Sequence, residues 1–250
     1  MPLPGAEIIL TIASVSMRFG GVQALKDISF LVNKGEVLGL IGPNGSGKTT
    51  LFNVYAGDHK PYSGKVTFND EDITNLPPFR ICWKGIARTF QQPQPFRKLS
   101  VFENILVGKI FGGDKRRLDV DIDDIINLIG MGGKNNILVE NLTGADQKKL
   151  EIGKALACKP ALLLLDEVAA GLNQVEQEAI QKLVQDIRKN VGVTIIMIEH
   201  VMETIMSLSE RIIVLNNGEI LATGKPEEVA KNEKVIEAYL GKEFVRRAKS

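Results

Sequence analysis

The chain has 250 residues, of which 44% are hydrophobic and 24% are charged, and its formal net charge is +1. This profile is typical of a globular protein with one large core or two small ones, and so balanced a charge gives no overall attraction to nucleic acid. The two cysteines and two histidines lie far apart in the sequence, which argues against a disulfide framework or a zinc site.

The amino-terminal residues MPLPGAEIIL have neither the basic region nor the long apolar region of a signal peptide. The longest apolar runs, such as Ala161–Leu165, are far shorter than a membrane span. We therefore expect a cytoplasmic protein that inserts no segment into a membrane.

The first predicted elements are two strands, over Ile8–Met17 and Ile28–Val32, joined by a turn at Gly20-Gly21. This pattern indicates an antiparallel β-element at the start of the chain. The next apolar run, Glu36–Ile41, ends in a glycine-rich turn, and a helical segment begins at Lys48. A buried strand that leads directly into a helix is typical of α/β proteins.

The turn between that strand and that helix reads GPNGSGKT and fits the phosphate-loop pattern G-x-x-x-x-G-K-[ST]. Its glycines let backbone N–H groups point at a polyphosphate, and the helix N-terminus adds the positive end of its dipole. We expect Lys48 to reach the β- and γ-phosphates and the Thr49 hydroxyl to ligate Mg²⁺. The alternative is a chance glycine-rich loop, which the strand–loop–helix context disfavours. The predicted nucleotide-binding residues are Gly42, Pro43, Asn44, Gly45, Ser46, Gly47, Lys48, Thr49 and Thr50.

The middle of the chain has a different pattern. From about Ser100 to Leu138 it is helical and locally polar, with a loop at Gly112–Arg117. This pattern predicts a helical subdomain, residues 92–159, inserted into an α/β core formed by residues 1–91 and 160–250. All 250 residues are assigned to a single nucleotide-binding domain.

Two fully apolar runs follow, Ala161–Leu165 and Val193–Ile198, and helical patterns over Val175–Lys189 and Val201–Leu208 come after them. Strands buried on both faces belong to a parallel sheet flanked by helices.

Two acidic residues end the first of these strands. Asp166 is expected to hold Mg²⁺, directly or through water, and Glu167 to polarise the water that attacks the γ-phosphate. The alternative is that Asp166 caps a turn and Glu167 is a solvated neighbour. The presence of a phosphate loop favours the catalytic interpretation.

In this order the motifs resemble those of the ATPase subunits of ABC transporters, and the resemblance covers almost the whole chain. The features that carry it are the phosphate loop, Gln91 after the strand Gly85–Phe90, the stretch Leu142–Gln147, the pair Asp166-Glu167, and His200 after Ile195–Glu199. The resemblance implies a phosphate-loop NTPase core with a mainly parallel sheet, an amino-terminal antiparallel β-subdomain, an inserted helical subdomain, and hydrolysis of ATP with Mg²⁺.

The resemblance also implies roles for single residues. Phe19 would stack on adenine, Gln91 would ligate Mg²⁺ and the attacking water, and His200 would hydrogen-bond the γ-phosphate and orient Glu167. The ordinary alternatives are a core phenylalanine, a loop amide and a polar residue at a strand end.

The stretch Leu142–Gln147 departs from the family pattern Leu-Ser-Gly-Gly-Gln-Gln. Thr143 keeps the hydroxyl and Gly144 is retained, while Ala145 and Asp146 replace glycine and glutamine. In this family Thr143, Gly144 and Ala145 would contact the nucleotide of a second subunit. Thr143 and Asp146 come close to a capping box, so we expect a helix to start here. The Asp146 carboxylate would repel phosphate if it pointed at it and would matter little if turned back into the cap.

Two further departures lie after Glu167. Val168 stands where the family has proline, and losing that fixed φ is expected to loosen the segment that carries Glu167. Asn173 stands where many relatives have aspartate, and Gln174 replaces the proline that usually follows. Neither change removes a charged catalytic group.

The resemblance implies two kinds of partner. ATP would be sandwiched between two such domains, so the chain would work as a homodimer or beside a related ATPase, and the pair would drive integral-membrane permease subunits from the cytoplasmic face of the membrane. The segment Pro93–Val107 is expected to form the core of the helical subdomain and in part to dock a permease helix through its apolar residues. Those residues are Phe96, Leu99, Val101, Phe102 and Leu106.

Within the family, the words FQQPQPFRKLSVFENILVG, EVAAGLN and AYLGKEF are most similar to importers of branched-chain amino acids. ATPases of urea import and lipopolysaccharide export share several of these words. Two interpretations of a different class are a soluble ATPase, for example in iron–sulfur assembly, and a subunit that binds ATP without hydrolysing it.

Overall fold

The structure is a computed structural model, and it describes residues 7–112 and 121–240. The loop predicted at Gly112–Arg117 lies outside these residues from position 113 on. The strands are β1 (Ile8–Phe19), β2 (Val22–Asn33), β3 (Val37–Ile41), β4 (Ser63–Phe68), β5 (Glu71–Asp72), β6 (Ile86–Arg88), β7 (Leu162–Asp166), β8 (Thr194–Ile198), β9 (Arg211–Asn216) and β10 (Glu219–Gly224). The helices are α1 (Lys48–Tyr55), α2 (Pro78–Lys84), α3 (Val101–Phe111), α4 (Ile122–Leu128), α5 (Gly144–Ala157), α6 (Gln174–Val191), α7 (Met202–Leu208), α8 (Pro226–Ala230) and α9 (Glu233–Leu240).

The chain divides into two compact units. The first comprises Met1–Leu76 and Ile205–Ser250, and the second comprises Pro77–Thr204. The nucleotide-site residues predicted from the phosphate loop lie in the first unit. Gln91, the Leu142–Gln147 stretch, the acidic pair and His200 lie in the second.

The first unit contains the antiparallel element predicted at the start of the chain. Strands β1 and β2 pair antiparallel, β1 also pairs with β4, and β4 pairs with β5. The pairing of β1 with β2 is interrupted by register shifts, and Ser14 and Asp27 have positive φ values of 51° and 48°. Such bulges increase strand twist, which curves this sheet.

The same unit holds the strand that positions the phosphate loop. All five residues of β3 are buried, and β3 pairs in parallel with β9, which in turn pairs antiparallel with β10. Helix α1 buries Leu51, Phe52 and Tyr55. The loop therefore connects a fully buried strand to a helix anchored by large side chains.

The second unit contains three parallel strands in the order β6-β7-β8. Every residue of β7 and β8 is buried, as expected for strands covered on both faces. Helix α6 begins with a capping box between Asn173 and Glu176, so Asn173 serves as the helix cap.

The same unit contains the helices of the region predicted to be a helical subdomain, and α3 contacts both α4 and α5. Helix α3 begins with a capping box between Ser100 and Glu103. Since these helices pack on one another, the helical character predicted for this part of the chain is present, whereas the boundaries 92 and 159 remain a prediction.

Candidate active site

The phosphate loop is held in place by its own lysine. The Lys48 ammonium donates hydrogen bonds to the carbonyl oxygens of Gly42 at 2.7 Å and of Pro43 at 3.1 Å. The side chain is buried, so the ammonium lies inside the curve of the loop. A cation in this position attracts phosphate oxygens, and its bonds to backbone carbonyls are ones that an anionic ligand can replace.

Two glycines of the loop, Gly42 and Gly47, are required by close backbone contacts. A Cβ on Gly42 would lie 2.2 Å from the carbonyl oxygen of Leu215 and 2.6 Å from the Ser46 hydroxyl, and one on Gly47 would lie 2.8 Å from the carbonyl oxygen of Ala24. Gly47 has a φ of 105° and precedes α1 without a side-chain cap. The first N–H groups of α1 therefore have no side-chain acceptor, which is the usual arrangement at a phosphate site.

The loop also has an unsatisfied buried hydroxyl. Ser46 is buried, and its Oγ has no hydrogen-bond partner within the part of the chain that the structure describes. Thr49, Asn44 and Gly45 are exposed, and Thr50 is half-buried. A polyphosphate in this loop would find backbone N–H groups, an ammonium and a free hydroxyl, so the residues present fit the group.

Two aromatic residues, Phe19 and Tyr239, belong to the same unit as the loop. Phe19 is 45% exposed and makes an edge contact with the His59 ring at 5.3 Å between centroids, so it is not a core phenylalanine. Burial raises the pKa of Tyr239 in α9, while a hydrogen bond with the Gly42 backbone opposes that shift. Sequence reasoning missed Tyr239, because its contact with the loop comes from the far end of the chain.

In the second unit Glu167 is the centre of a hydrogen-bonded group. The Gln91 amide donates to one carboxylate oxygen of Glu167 at 2.7 Å, and His200 Nε2 lies 2.8 Å from the other. The three residues come from segments 76 and 33 positions apart in the sequence, and the structure brings their side chains together. Both carboxylate oxygens thus have a polar partner that fixes their orientation.

Asp166 lies one residue earlier and has different partners. Arg88 Nη2 lies 3.3 Å from its carboxylate, and its backbone N–H donates to the Thr89 hydroxyl at 3.1 Å. Burial raises the pKa of Asp166, and the positive charge of Arg88 opposes that shift. Sequence reasoning missed Arg88, although its position two residues before the end of the predicted strand Gly85–Phe90 was the available signal.

The residues predicted to ligate a metal combine a hydroxyl, an amide and a carboxylate, namely Thr49, Gln91 and Asp166. No group of three or more histidine, cysteine, aspartate or glutamate side chains that could hold a metal occurs within residues 7–112 and 121–240. Mg²⁺ usually keeps several waters and binds through one or two protein groups together with substrate phosphates. The oxygen chemistry of these three residues fits that mode of binding.

The stretch Leu142–Gln147 forms a helix start, as predicted. Thr143 is the N-cap of α5, and its hydroxyl accepts a hydrogen bond from the Asp146 N–H at 3.2 Å. The Asp146 carboxylate is not turned back into the cap. It forms an ion pair with Lys134 at 2.6 Å between Nζ and Oδ2. Sequence reasoning missed this partner, because nothing in the pattern around Lys134 marks it.

The other residues of this stretch differ in their exposure. Thr143 and Gly144 are exposed, whereas Ala145 is only 8% exposed. A Cβ on Gly144 would meet nothing within 4 Å. The exposed face available to a second subunit therefore consists of the hydroxyl and the glycine, with the alanine methyl mostly covered by its own chain.

The segment after Glu167 has further contacts that sequence reasoning missed. The Lys148 ammonium donates to the carbonyl oxygens of Glu167 and Ala170, and Glu199 Oε1 accepts from the Ala169 N–H at 2.8 Å. Val168 is buried. These polar contacts oppose the looseness expected from the missing proline.

The docking segment predicted over Pro93–Val107 has one strongly exposed apolar residue. Phe96 is 51% exposed, while Val101 is fully buried. Leu99, Phe102 and Leu106 are half-buried. Further exposed apolar residues of the same unit, which sequence reasoning did not single out, include Phe79, Trp83, Ile110 and Phe111.

The phosphate loop and the Gln91–Glu167–His200 group are the features of a phosphate-loop ATPase. Residues 25–170 match the family model described as ABC transporter, and residues 219–245 match the model described as branched-chain amino acid ATP-binding cassette transporter. The chain belongs to the ABC transporter family, and it is an ATP-hydrolysing cassette of that family.

Its relatives support this assignment over nearly the full length. The branched-chain amino acid transport ATP-binding protein LivG of Salmonella typhimurium is 38% identical, with 94% of this chain and 99% of the relative covered. BraF of Pseudomonas aeruginosa, from the same kind of system, is 34% identical, with 93% and 98% covered. The lipopolysaccharide export ATP-binding protein LptB of Haemophilus influenzae is 33% identical, with 94% and 98% covered.

Solved structures show the same fold. The ADP conformation of MJ1267, an ATP-binding cassette of an ABC transporter, superposes with a TM-score of 0.85 at 32% identity, covering 94% of this chain and 100% of that one. The dimeric MJ0796 cassette bound to ADP and Pi is similar in fold, with a TM-score of 0.75 at 24% identity and coverage of 87% and 99%. The predicted fold class is therefore confirmed. Among the described residues, no helix has the length and apolar character needed to cross a membrane.

Proposed function

We propose that the chain is the ATP-binding and ATP-hydrolysing subunit of an importer of branched-chain or other hydrophobic amino acids. The observation that carries the substrate class is the match of residues 219–245 to the branched-chain transporter model, together with relatives of that kind over the whole chain. The lipopolysaccharide export relative matches at lower identity. The subunit would lie on the cytoplasmic face of the membrane, bound to permease subunits.

The first chemical task is to bind the nucleotide. The backbone of Gly42–Thr49, the Lys48 ammonium and the Ser46 hydroxyl would contact the phosphates, and the exposed Phe19 would stack on the base. Thr49, Asp166 and Gln91 would hold Mg²⁺, which supplies charge neutralisation of the phosphates when it is bound.

The second task is to orient the attacking water. Glu167 has one carboxylate oxygen on Gln91 and the other on His200, so its orientation is fixed before a water molecule arrives. A carboxylate held in this way can accept a hydrogen bond from that water and align it for attack. In this proposal His200 also hydrogen-bonds the γ-phosphate. Asp166 has a different partner, the guanidinium of Arg88 at 3.3 Å.

The third task is assembly with a second cassette. The chain has one phosphate loop and one exposed Thr143-Gly144 pair at the start of α5. We infer that these residues contact the nucleotide of a second ATPase subunit, either a copy of this chain or a related one. The exposed apolar residues Phe96 and Trp83 would contact a cytoplasmic helix of a permease.

The experiment that tests assembly and chemistry together is Glu167→Gln, which retains side-chain volume and removes the carboxylate. With ATP, we expect turnover to fall strongly while a dimer accumulates in size-exclusion chromatography, alone or with the partner ATPase. If the variant stays monomeric at saturating ATP, both alone and with the partner ATPase, the proposed binding of ATP between two subunits would be contradicted.

The substrate class is tested by reconstitution. Permease subunits that co-purify with the chain are placed in liposomes, and ATP-dependent uptake of labelled leucine is compared with uptake of urea. Leucine uptake supports the proposal. Transport of another solute, or the absence of any permease in the purified complex, would point to another ABC system or to a soluble ATPase.

A further inference from the structure

The backbone at Glu167 has an unusual conformation. Its φ is 51°, in the left-handed region that residues other than glycine adopt only when their surroundings enforce it. The direction of the carboxylate depends on this backbone, and the next residue is Val168 rather than a φ-restricting proline. Something outside the segment must therefore hold it, beginning with the Glu167 N–H, which donates to the Ile198 carbonyl oxygen at 2.9 Å.

Lys148 holds the segment from one side. It belongs to α5, the helix that starts at Thr143, and its ammonium donates to the carbonyl oxygens of Glu167, at 3.2 Å, and Ala170. The Ala170 N–H also donates to the Glu167 carbonyl oxygen at 3.2 Å, which closes a turn. One ammonium thus caps both ends of the turn that begins at Glu167.

Glu199 holds the segment from another direction. Only 2% of this residue is exposed, and its Oε1 accepts from the Ala169 N–H at 2.8 Å. Burial lowers the pKa of Lys148, and the negative charges of Glu199 and Glu167 oppose that shift. Two side chains therefore hold the backbone of one turn, the Lys148 ammonium at the Glu167 and Ala170 carbonyl oxygens and the Glu199 carboxyl at the Ala169 N–H.

We propose that Lys148 is a positioning residue for hydrolysis, which links helix α5 to the backbone of Glu167, with Glu199 as the second anchor of the same turn. This inference rests on the proposed function, in which the start of α5 contacts the nucleotide of a second subunit. Through Lys148, a displacement of α5 at that contact moves the backbone of the residue that orients water in the chain's own hydrolysis reaction.

The test compares Lys148→Met, which keeps the length of the side chain and removes its donors, with Lys148→Arg and Lys149→Met. Lys149 is the neighbouring residue on α5 and forms no hydrogen bond or ion pair with the described residues, so it controls for loss of one charge. With the wild-type complex as reference, kcat and KM are measured for ATP, and ATP binding is measured by equilibrium titration.

We expect Lys148→Met to lower kcat by about 10- to 100-fold, the range for a misplaced catalytic group, with the ATP dissociation constant changed less than about twofold. Lys148→Arg should restore most of kcat, and Lys149→Met should leave it within about twofold. Equal losses in Lys148→Met and Lys149→Met, or a loss of ATP binding as large as the loss of kcat, would overturn the inference.

A second measurement separates positioning from a general structural role. Because Lys148 acts through Glu167, adding Lys148→Met to Glu167→Gln should not lower kcat further, whereas independent effects would multiply. If the kcat losses of the two single variants multiply in the double variant, the inference is overturned. Failure of the proposed function gives a different result. The wild-type complex would then neither hydrolyse ATP nor form the ATP-dependent dimer, before any variant is tested.

Discussion

The phosphate loop and the segment around Glu167 perform related chemistry with different construction. The loop is made of consecutive residues, and its lysine contacts the loop's own backbone, with the Lys48 ammonium 2.7 Å from the Gly42 carbonyl oxygen. The Glu167 group depends on residues from separate parts of the second unit, namely Gln91, Lys148, Glu199 and His200.

The difference explains where the sequence keeps the family pattern. In the loop a backbone contact leaves no room for a Cβ at Gly42, so a substitution has no way to be compensated locally. At Asp146 the replacement carries a charge, and Lys134 twelve positions earlier pairs with it. A site built from side chains accepts changes that a second side chain can offset, and a site built from backbone does not.

The largest effect is expected for Gly42→Ala. The new Cβ would lie 2.2 Å from the Leu215 carbonyl oxygen, so the backbone must move, and the free energy of unfolding should fall by about 3 kcal/mol or more. Gly45→Ala is the matched control, since Gly45 faces open space with a φ of 76°, and it should cost about 1 kcal/mol. Urea titration measures both, and equal losses would remove the distinction between the two glycines.

The next effect concerns the loop lysine. Lys48→Ala removes the buried ammonium that contacts the Gly42 and Pro43 carbonyl oxygens, and ATP turnover should fall about 100-fold or more. Lys34→Ala controls for loss of one positive charge, since Lys34 forms an exposed ion pair with Glu7 in the same unit, and its turnover should be unchanged. Steady-state ATPase assays decide, and similar turnover in both variants would contradict this role of Lys48.

A smaller effect follows from the acid that anchors the Glu167 turn. Burial raises the pKa of Glu199 from 4.5 to about 7, opposed by the Ala169 N–H, by the charge of Lys148 and by the His200 backbone, and reinforced by Glu167. The folded state then holds a proton that the unfolded state releases between these values, so stability falls as pH rises through that window. Between about pH 5.5 and about pH 8 this contribution is about 2 kcal/mol.

Glu199→Gln isolates that contribution. Glutamine keeps an acceptor for the Ala169 N–H and does not titrate, so the loss of stability with rising pH should be about 2 kcal/mol smaller in the variant than in the wild type. Chemical denaturation at both pH values gives the comparison. Parallel pH profiles would show that Glu199 does not titrate in this range.

The smallest effect is expected at the ion pair of Lys134 with Asp146. The pair is partly exposed, so its net contribution is under about 1 kcal/mol, and Lys134→Met should lower turnover of the assembled complex about threefold. Asp146→Gln in the same chain should restore it, because no unpaired carboxylate is then left at the start of α5. If the double variant is as slow as Lys134→Met, charge compensation is not the role of Lys134.

The parts of the fold that follow from local pattern were predicted well. The strand at Glu36–Ile41 is β3, the runs at Ala161–Leu165 and Val193–Ile198 are β7 and β8, and the helix at Val175–Lys189 is α6. Continuous burial gives these strands an unbroken apolar pattern. No prediction was made for β4, β9 or β10. Strands β4 and β10 bury few residues and so lack a clear apolar signature, whereas the buried apolar run of β9 is a signal that was available in the sequence.

The residues of the site also divide into those that a sequence pattern marks and those that only the fold brings together. Gln91, Glu167 and His200 were predicted because family motifs mark them, and the structure joins their side chains. Arg88 and Lys148 have no motif of their own, and their roles depend on which carboxylate or carbonyl oxygen the fold brings to them.

The two cysteines, too, lie close together although no pattern in the sequence indicates it. Cys82 and Cys158, distant in sequence, are free thiols, and a hydrogen bond between them, with burial, raises the pKa of Cys158.

The contact of Tyr239 with the Gly42 backbone has a consequence for how relatives differ. Tyr239 lies in the segment matched by the branched-chain transporter model, whereas Gly42 belongs to the general phosphate loop. The segment that matches the branched-chain transporter model therefore adjoins a loop that the general ABC transporter model covers. Exchanging the carboxy-terminal segment between two such subunits should therefore transfer a difference in ATP affinity along with it. The segment would then tune nucleotide binding in an otherwise shared ATPase.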